Sequence, residues 1–265
     1  MGGRPRAGDI RGVLASRSSG ASNVAVEGAG TRASARGPRA GRTQAAGGAL
    51  TTDSGPGRES GTDAPLVHIF ADESCLGNQF ENRRNPGAAA GLIERFDERG
   101  GWYRRDFAHF DPDTTNNRMA ITSGIVGLGA LRRACRVVFT SDSQYLVRGM
   151  KEWVHGWARR GWRRKGGPIE NLDLWRELVR VAARHRVEWR WTRGHADDVK
   201  NSYADHLAVR AARDRRGTDG LAPSGFESWL AEAQEKERFV EFLDLPSDAF
   251  TEDPRPPAPD GAGGD

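Results

Sequence analysis

Cysteine is scarce in this chain of 265 residues, with only Cys75 and Cys135, far apart in sequence. That excludes a disulfide framework and a cysteine-based zinc site, so a reduced compartment, the cytoplasm, is the expected location. Long apolar runs are also missing. None approaches the length of a membrane span, and no membrane partner is expected. The N-terminus lacks a secretory hydrophobic core. Residues 1–63 are dominated by Gly, Ala, Ser and Arg, with no sustained hydrophobic period. Such a segment buries too little apolar surface to offset the entropy of ordering, and a disordered basic arm is expected. Its Arg-rich, acid-poor character also suits an organelle transit peptide, although its Gly and Pro content argues against the amphipathic helix of such peptides. An over-extended translation start is a third reading. Residues 246–265 are acidic and rich in Pro and Gly, and read as a disordered tail.

What remains is one folded domain over 64–216, followed by a C-terminal amphipathic segment over 217–245. Apolar runs rich in β-formers predict strands at 66–72, 88–96, 101–109, 136–141 and 186–192. The second and third are joined as a hairpin through Asp97-Glu98-Arg99-Gly100-Gly101. Helical periodicity predicts helices at 117–133, 144–159 (one or two pieces), 171–185 and 200–213. Capping residues in 113–117 and Asn171 precede two of them. The glycines at 124, 127 and 129 disfavour a helix by about 1 kcal/mol each relative to Ala, and suggest close packing on a sheet. A last helix over about 226–243 carries Phe226, Trp229, Leu230, Phe239 and Phe242, which suit docking on the domain or, alternatively, contact with another protein. The order βββαβααβα implies a mixed α/β sheet with helices on both faces.

Two predicted strands end in an acid, Asp72 and Asp142, and a predicted helix carries Asp205. Each alone reads as a cap or turn residue. Two neighbouring parallel strands ending in Asp, however, put both carboxylates at the edge where α/β sheets form clefts. Converging hard oxygen ligands bind divalent cations and support phosphoryl chemistry. The formal net charge of +4 is weak evidence for a nucleic-acid partner, but its distribution is stronger evidence. Lys151, Arg159, Arg160, Arg163, Arg164 and Lys165 surround a single acid, Glu152, and are interleaved with Trp153, Trp157 and Trp162. Cations neutralise phosphates and aromatic faces pack on sugars or bases. The four-residue tryptophan spacing also fits one helix face, so part of that set is expected to be packing.

The runs IFADESCLGN, DTTNNRM, TSDSQYL, KEWVHGWARRGW, NLDLWREL, WRWTRGHADDVKN and YADHLA strongly resemble bacterial type 1 ribonuclease H, in the family's order and nearly its spacing, over most of 67–213. The resemblance implies a ribonuclease H-like α/β fold, a five-stranded mixed sheet of order 3-2-1-4-5 with helices on both faces. It implies a monomeric endonuclease that hydrolyses the RNA strand of RNA–DNA hybrids with two Mg²⁺ ions, giving 5′-phosphate and 3′-hydroxyl ends. Asp72 would bridge both ions, Asp142 would hold the nucleophile-side metal and Asp205 would assist the other. His195, in the loop after the last strand, would assist proton movement or product departure. Cys75, Asn78, Asn116, Asn117 and Gln144 match positions that contact nucleic acid, where amides can read 2′-hydroxyls and base edges. The segment from Lys151 to Lys165, with Trp153, Trp157, Arg159, Arg160, Trp162, Arg163 and Arg164, resembles the family's basic protrusion, which holds the DNA strand.

One family feature is missing. The glutamate expected directly after the NNRM run is replaced by Ala120. In the family it contacts the second metal and the ribose hydroxyl near the scissile bond. Three readings follow. Another acid substitutes: Glu73, where the family usually has glycine, or Glu81 in a loop longer than the family's. Strand alternation argues against Glu73, because neighbours on a strand point to opposite faces, but at a strand's end the backbone can twist enough to relax that objection. Alternatively, three aspartates work alone, with Mn²⁺ preferred. Or the chain binds hybrids without cutting them.

Overall fold

The computed structural model describes residues 64–76, 85–194 and 198–258. The arm over 1–63, Asn78, Glu81 and His195 lie outside the described residues. Strand β1 (Leu66–Cys75) pairs antiparallel with β2 (Asn85–Asp97), which pairs antiparallel with β3 (Gly101–Thr114). The β2–β3 turn is closed by Gly100 N–H donating to Asp97 O at 3.1 Å, with Gly101 at φ 75°, where a side chain would be strained. Helix α1 (Asn116–Gly129) crosses over to β4 (Arg136–Ser141), which lies parallel to β1. A continuous helical run follows: α2 (Gln144–Arg148), a π-helical segment (Gly149–Trp153) and α3 (Val154–Arg159). Then α4 (Leu172–Ala182) leads to β5 (Arg186–Trp191), parallel to β4, and on to α5 (Val199–Asp214).

The described sheet has six strands, not the five expected, in the order β5-β4-β1-β2-β3-β6. The addition, β6 (Ala222–Pro223), pairs with Arg105 and Asp106 of β3. Its two residues offer no alternating pattern to read in the sequence. Strand β3 runs five residues past its expected end because it carries an extra residue against β2. Gly87 pairs with Asp111 and Asn85 with Thr114, a bulge that accommodates Pro112. Helix α1 stops at Gly129, with Ala130 as its C-cap, and its N-cap is Thr115, whose Oγ1 accepts from Arg118 N–H at 3.3 Å.

Alternation along β1 sets the two layers. Val67, Ile69 and Ala71 join a core with Ala120, Ile121 and Leu128 of α1 and Trp175 and Leu178 of α4. Phe70 faces the opposite core, formed by Leu92, Val199, Tyr203, Leu207 and Phe226. Helix α6 (Phe226–Glu235) is shorter than the expected 226–243, and Glu237 and Phe239 both have positive φ. Phe239 and Phe242 still pack on the second core after the helix has ended.

The C-terminal segment is tied down by charge. Arg104, on β3, pairs with Glu94 at 2.9 Å, with Glu227 of α6 at 2.7 Å and with Asp244. Lys200, in the first turn of α5, pairs with Glu94 at 2.5 Å and Asp244 at 2.9 Å. The Arg104 guanidinium lies over the Trp102 and Phe226 rings. Removing one partner of a buried pair strands the other charge out of water. Glu94→Ala should therefore destabilise the protein by about 3 kcal/mol, read as a lowered denaturant midpoint with unchanged secondary structure at low denaturant.

Candidate active site

The C-terminal ends of β1 and β4 lie side by side, since Phe70 pairs with Thr140 across the parallel ladder. The structure brings Asp72, Glu73 and Asp142 together, with one carboxylate oxygen from each within 4.8 Å of the others. Asp72 is on the α5 face of β1, where the charge of Asp205 reaches it. Glu73 follows on the α1 face, two residues past Ala71 and on the side that Ala120 covers. Alternation thus puts Glu73 on the face that Ala120 covers, and being on the opposite face from Asp72 does not keep its carboxylate from the centre. Asp142, just past β4, lies close enough to both.

The centre is electrostatically costly. Burial, then the neighbouring Asp142 charge, pushes Asp72 up to about 8; the Glu73 N–H, donating to Asp72 Oδ1 at 2.6 Å, offsets part of this, and Asp205 adds to it. Burial next to Asp72 and Asp142 raises Glu73 well above the ordinary carboxylate range, with the Ser143 hydroxyl pulling the other way. Asp72 Oδ2 and Glu73 Oε2 are both buried without a hydrogen-bond partner. Buried acceptors of this kind call for an ion, a water or a substrate group. The donor set fits a divalent cation: hard carboxylate oxygens, close together, with free lone pairs.

The loop after β5 closes on this centre. A Cβ on Gly194 would meet Asp142 Oδ2 at 2.4 Å, so the backbone there fits only glycine if Asp142 is to stay in place. Trp191 Nε1 donates to the Asp142 carbonyl at 3.0 Å, although the indole remains largely exposed. Neither residue was singled out in the sequence. Nor was Asn201, one turn before Asp205 on α5. It is wholly buried, and both its Oδ1 and its Nδ2 lack partners. An amide four residues before an acid on one helix was the available signal.

Other expected residues are spread around the centre. Cys75 is half-buried at the end of β1, and burial followed by the nearby Glu73 raises its thiol to about 11. Asn116 is half-buried with Oδ1 unpartnered, while Asn117 and Gln144 are exposed. Arg159, Arg160, Arg163 and Arg164 are all exposed. The tryptophans need correction as nucleic-acid contacts. Trp157 and Trp162 are buried in the core, and the half-buried Trp153 packs against Tyr145, Trp157 and Trp175. The four-residue spacing of Trp153 and Trp157 reflects the inward face of the helical run, while Trp162 lies beyond its end.

A mixed α/β sheet with carboxylates converging at the ends of its parallel strands defines a class: enzymes that use divalent cations to hydrolyse phosphodiesters. Comparison narrows it. The RNase H family model matches residues 64–213. Ribonuclease H of Syntrophotalea carbinolica is 43% identical over 150 residues, covering 56% of this chain and 92% of its own. That of Halorhodospira halophila is 46% identical over 145 residues, covering 54% and 90%. The crystal structure of LC9-RNase H1, described as a type 1 RNase H with the type 2 active-site motif, is 46% identical with a TM-score of 0.68; it covers 73% of this chain and 94% of its own. This chain belongs to the ribonuclease H family, and its acidic cluster is the metal-binding centre of a nuclease.

The raised acid ties stability to pH with a definite sign. Between its ordinary value near 4 and about 8, Asp72 is protonated in the folded protein and ionised in the unfolded chain, so the folded state binds the extra proton. Stability of the cation-free protein should fall as pH rises through that window. A divalent cation requires the ionised form, so Mg²⁺ or Mn²⁺ should raise the melting temperature more above pH 8 than near pH 5. Equal increments at both would contradict this assignment. Gly194→Ala should displace the Asp142 carboxylate rather than unfold the chain. Its cleavage rate should drop by about tenfold or more, with a melting temperature near wild type.

Proposed function

We propose that this chain hydrolyses the RNA strand of RNA–DNA hybrids at the Asp72–Glu73–Asp142 centre, using two Mg²⁺ ions or Mn²⁺ in their place, and that Glu73 supplies the carboxylate absent at Ala120. The products would carry 5′-phosphate and 3′-hydroxyl ends. The observation that carries the reading is Glu73 itself, whose carboxylate oxygen lies with those of Asp72 and Asp142 and has a buried, unpartnered Oε2. A type 1 relative whose description records a different active-site motif supports such a rearrangement.

Asp72, Glu73 and Asp142 would hold the cations, with Asp205 assisting from α5. Paired divalent cations supply a hydroxide-like nucleophile and charge stabilisation for the leaving oxygen. The chain's own residues do the rest. Asp72 must give up its proton when the site fills. The Glu73 N–H holds Asp72 Oδ1, Ser143 steadies Glu73, and the Gly194 backbone with the Trp191 indole keeps Asp142 in place. Asn116, Asn117 and Gln144, at the starts of α1 and α2, would contact the hybrid with Asn78 and Cys75. Arg159, Arg160, Arg163 and Arg164 would neutralise DNA-strand phosphates. His195 would assist proton movement. The protein would act as a monomer.

The alternative, a hybrid-binding module without catalysis, gains no support from the geometry, because a binding module has no need of three acids brought together with one of them buried. The test is cleavage of a labelled hybrid by purified protein. Glu73→Gln should lower the rate by about 10²-fold or more, comparably to Asp72→Asn. Ala120→Glu should bring no gain, since Ala120 is fully buried and the position is already compensated. A wild-type rate for Glu73→Gln, or a large gain from Ala120→Glu, would refute the assigned role of Glu73.

A further inference from the structure

The residues after α6 have no helix or strand as far as 258, yet they follow a fixed course; the disordered tail expected from 246 onward does not hold for this stretch. Acidic, Pro-rich composition was the basis of that expectation, but the partners are cations and strand-edge groups that composition does not reveal. Asp244 pairs with Lys200 in the first turn of α5. The Ser247 carbonyl lies 3.0 Å from His68 Nε2 on β1. Phe250 packs under Arg136 of β4 and Arg186 of β5. Thr251 N–H donates to Glu188 at 2.7 Å, and Glu252 pairs with Arg186 at 2.6 Å. The strap therefore crosses from α5 to β5, the last strand in the sheet order.

Asp253 ends this course with three contacts. Its N–H donates to Val187 O at 3.1 Å, and its Oδ2 accepts from Trp189 N–H at 2.7 Å, so it satisfies two groups on the free edge of β5. Its Oδ1 pairs with Lys151 Nζ at 3.1 Å, and that ammonium also donates to Trp189 O at 3.3 Å. Lys151 belongs to the π-helical segment at the root of the basic protrusion. Next to it, a Cβ on Gly149 would meet Trp175 at 2.0 Å, so the root is pressed onto the core from the other side. Two residues beyond Trp189 on the same strand, Trp191 holds the Asp142 carbonyl. One short segment of β5 thus touches both the root of the protrusion and a ligand of the carboxylate centre.

We propose that Asp253 is a positioning residue for hybrid binding: by clamping Lys151 to β5 it fixes the basic protrusion at a set distance from the carboxylate centre. This rests on the hybrid-cleaving reading above. It also assigns Lys151, although exposed, a structural role in place of a phosphate contact. Asp253 acts through Lys151 and touches no reacting group.

The test uses the full chain and two hybrids, a long one that reaches the protrusion and a short one that spans only the carboxylate centre. Affinity is measured in chelator and cleavage in Mg²⁺. Asp253→Asn keeps the backbone partners and removes the charge. It should raise KM and Kd for the long hybrid by about two- to fivefold with kcat nearly unchanged. Asp253→Ala also loses the Trp189 bond and should reach about tenfold. Neither should alter behaviour on the short hybrid. Lys151→Gln should match Asp253→Asn with an unchanged salt slope. A salt slope lowered by about one would make Lys151 a phosphate contact and overturn the proposal. Tighter binding by Asp253→Asn would show the carboxylate masking Lys151, and would overturn it equally, as would unchanged KM and Kd. Because binding is read apart from cleavage, a wild-type protein that binds hybrid but does not cut it would count against the proposed function alone.

Discussion

The crowding of three carboxylates is the constraint on which the rest of this structure depends. Asp72, Glu73 and Asp142 offer oxygens within 4.8 Å of one another, with Asp72 buried and the other two half-buried, so water screens them less than it would at the surface. No fold would assemble such a cluster for stability. The sheet holds it by placing the ends of two adjacent parallel strands in fixed register, with Phe70 opposite Thr140. A one-residue slip of β1 would exchange the faces of Asp72 and Glu73, turning one away from α5 and the other away from α1. The apolar partners of β1 forbid that slip, because Val67, Ile69 and Ala71 are buried in one core and Phe70 packs against the other. The hydrophobic layers therefore enforce the geometry of a centre that opposes folding.

The same alternation explains how a carboxylate can change its place in the chain and keep its place in space. Ala120 and Ala71 belong to one core, so the face of β1 that meets α1 also carries Glu73, one step past the end of that core. An acid on α1 and an acid on β1 can serve the same side of Asp72. If Glu73 fills that role, a second acid at 120 would add another charge to a site already short of compensation.

Much of this was legible in the sequence, and the failures have physical causes. Strand ends carrying Asp72 and Asp142 are readable because apolar runs stop abruptly at an acid. The five main strands and the helices follow from periods of 2 and 3.6. Glu73 was legible as a candidate from its place next to Asp72, but alternation alone left it open, because the sequence does not show that both faces of β1 border the centre. Trp191 and Gly194 act through a backbone carbonyl and through the lack of a side chain, neither of which leaves a pattern. Trp157 and Trp162 were ambiguous, since an aromatic among cations can be core or contact, and only the packing against Trp175 and the core decides. The last stretch misled because low hydrophobicity was equated with a lack of partners.

That last error concerns how charge is used in a basic protein. Lys200 and Arg104 are close to buried and compensated, and the acids that compensate them include Asp244 and Glu227 from the C-terminal extension. Glu252 and Asp253 do the same for Arg186 and Lys151 at the edge of β5. The extension thus withdraws part of the positive charge from the body of the domain and gives it structural work. Arg159, Arg160, Arg163 and Arg164 of the protrusion are among the cations left exposed. A polyanionic ligand feels the uncompensated cations far more than those paired inside the protein. The acids of the extension thus lower the pull of the cations they pair with, and the protrusion arginines keep theirs for a polyanion.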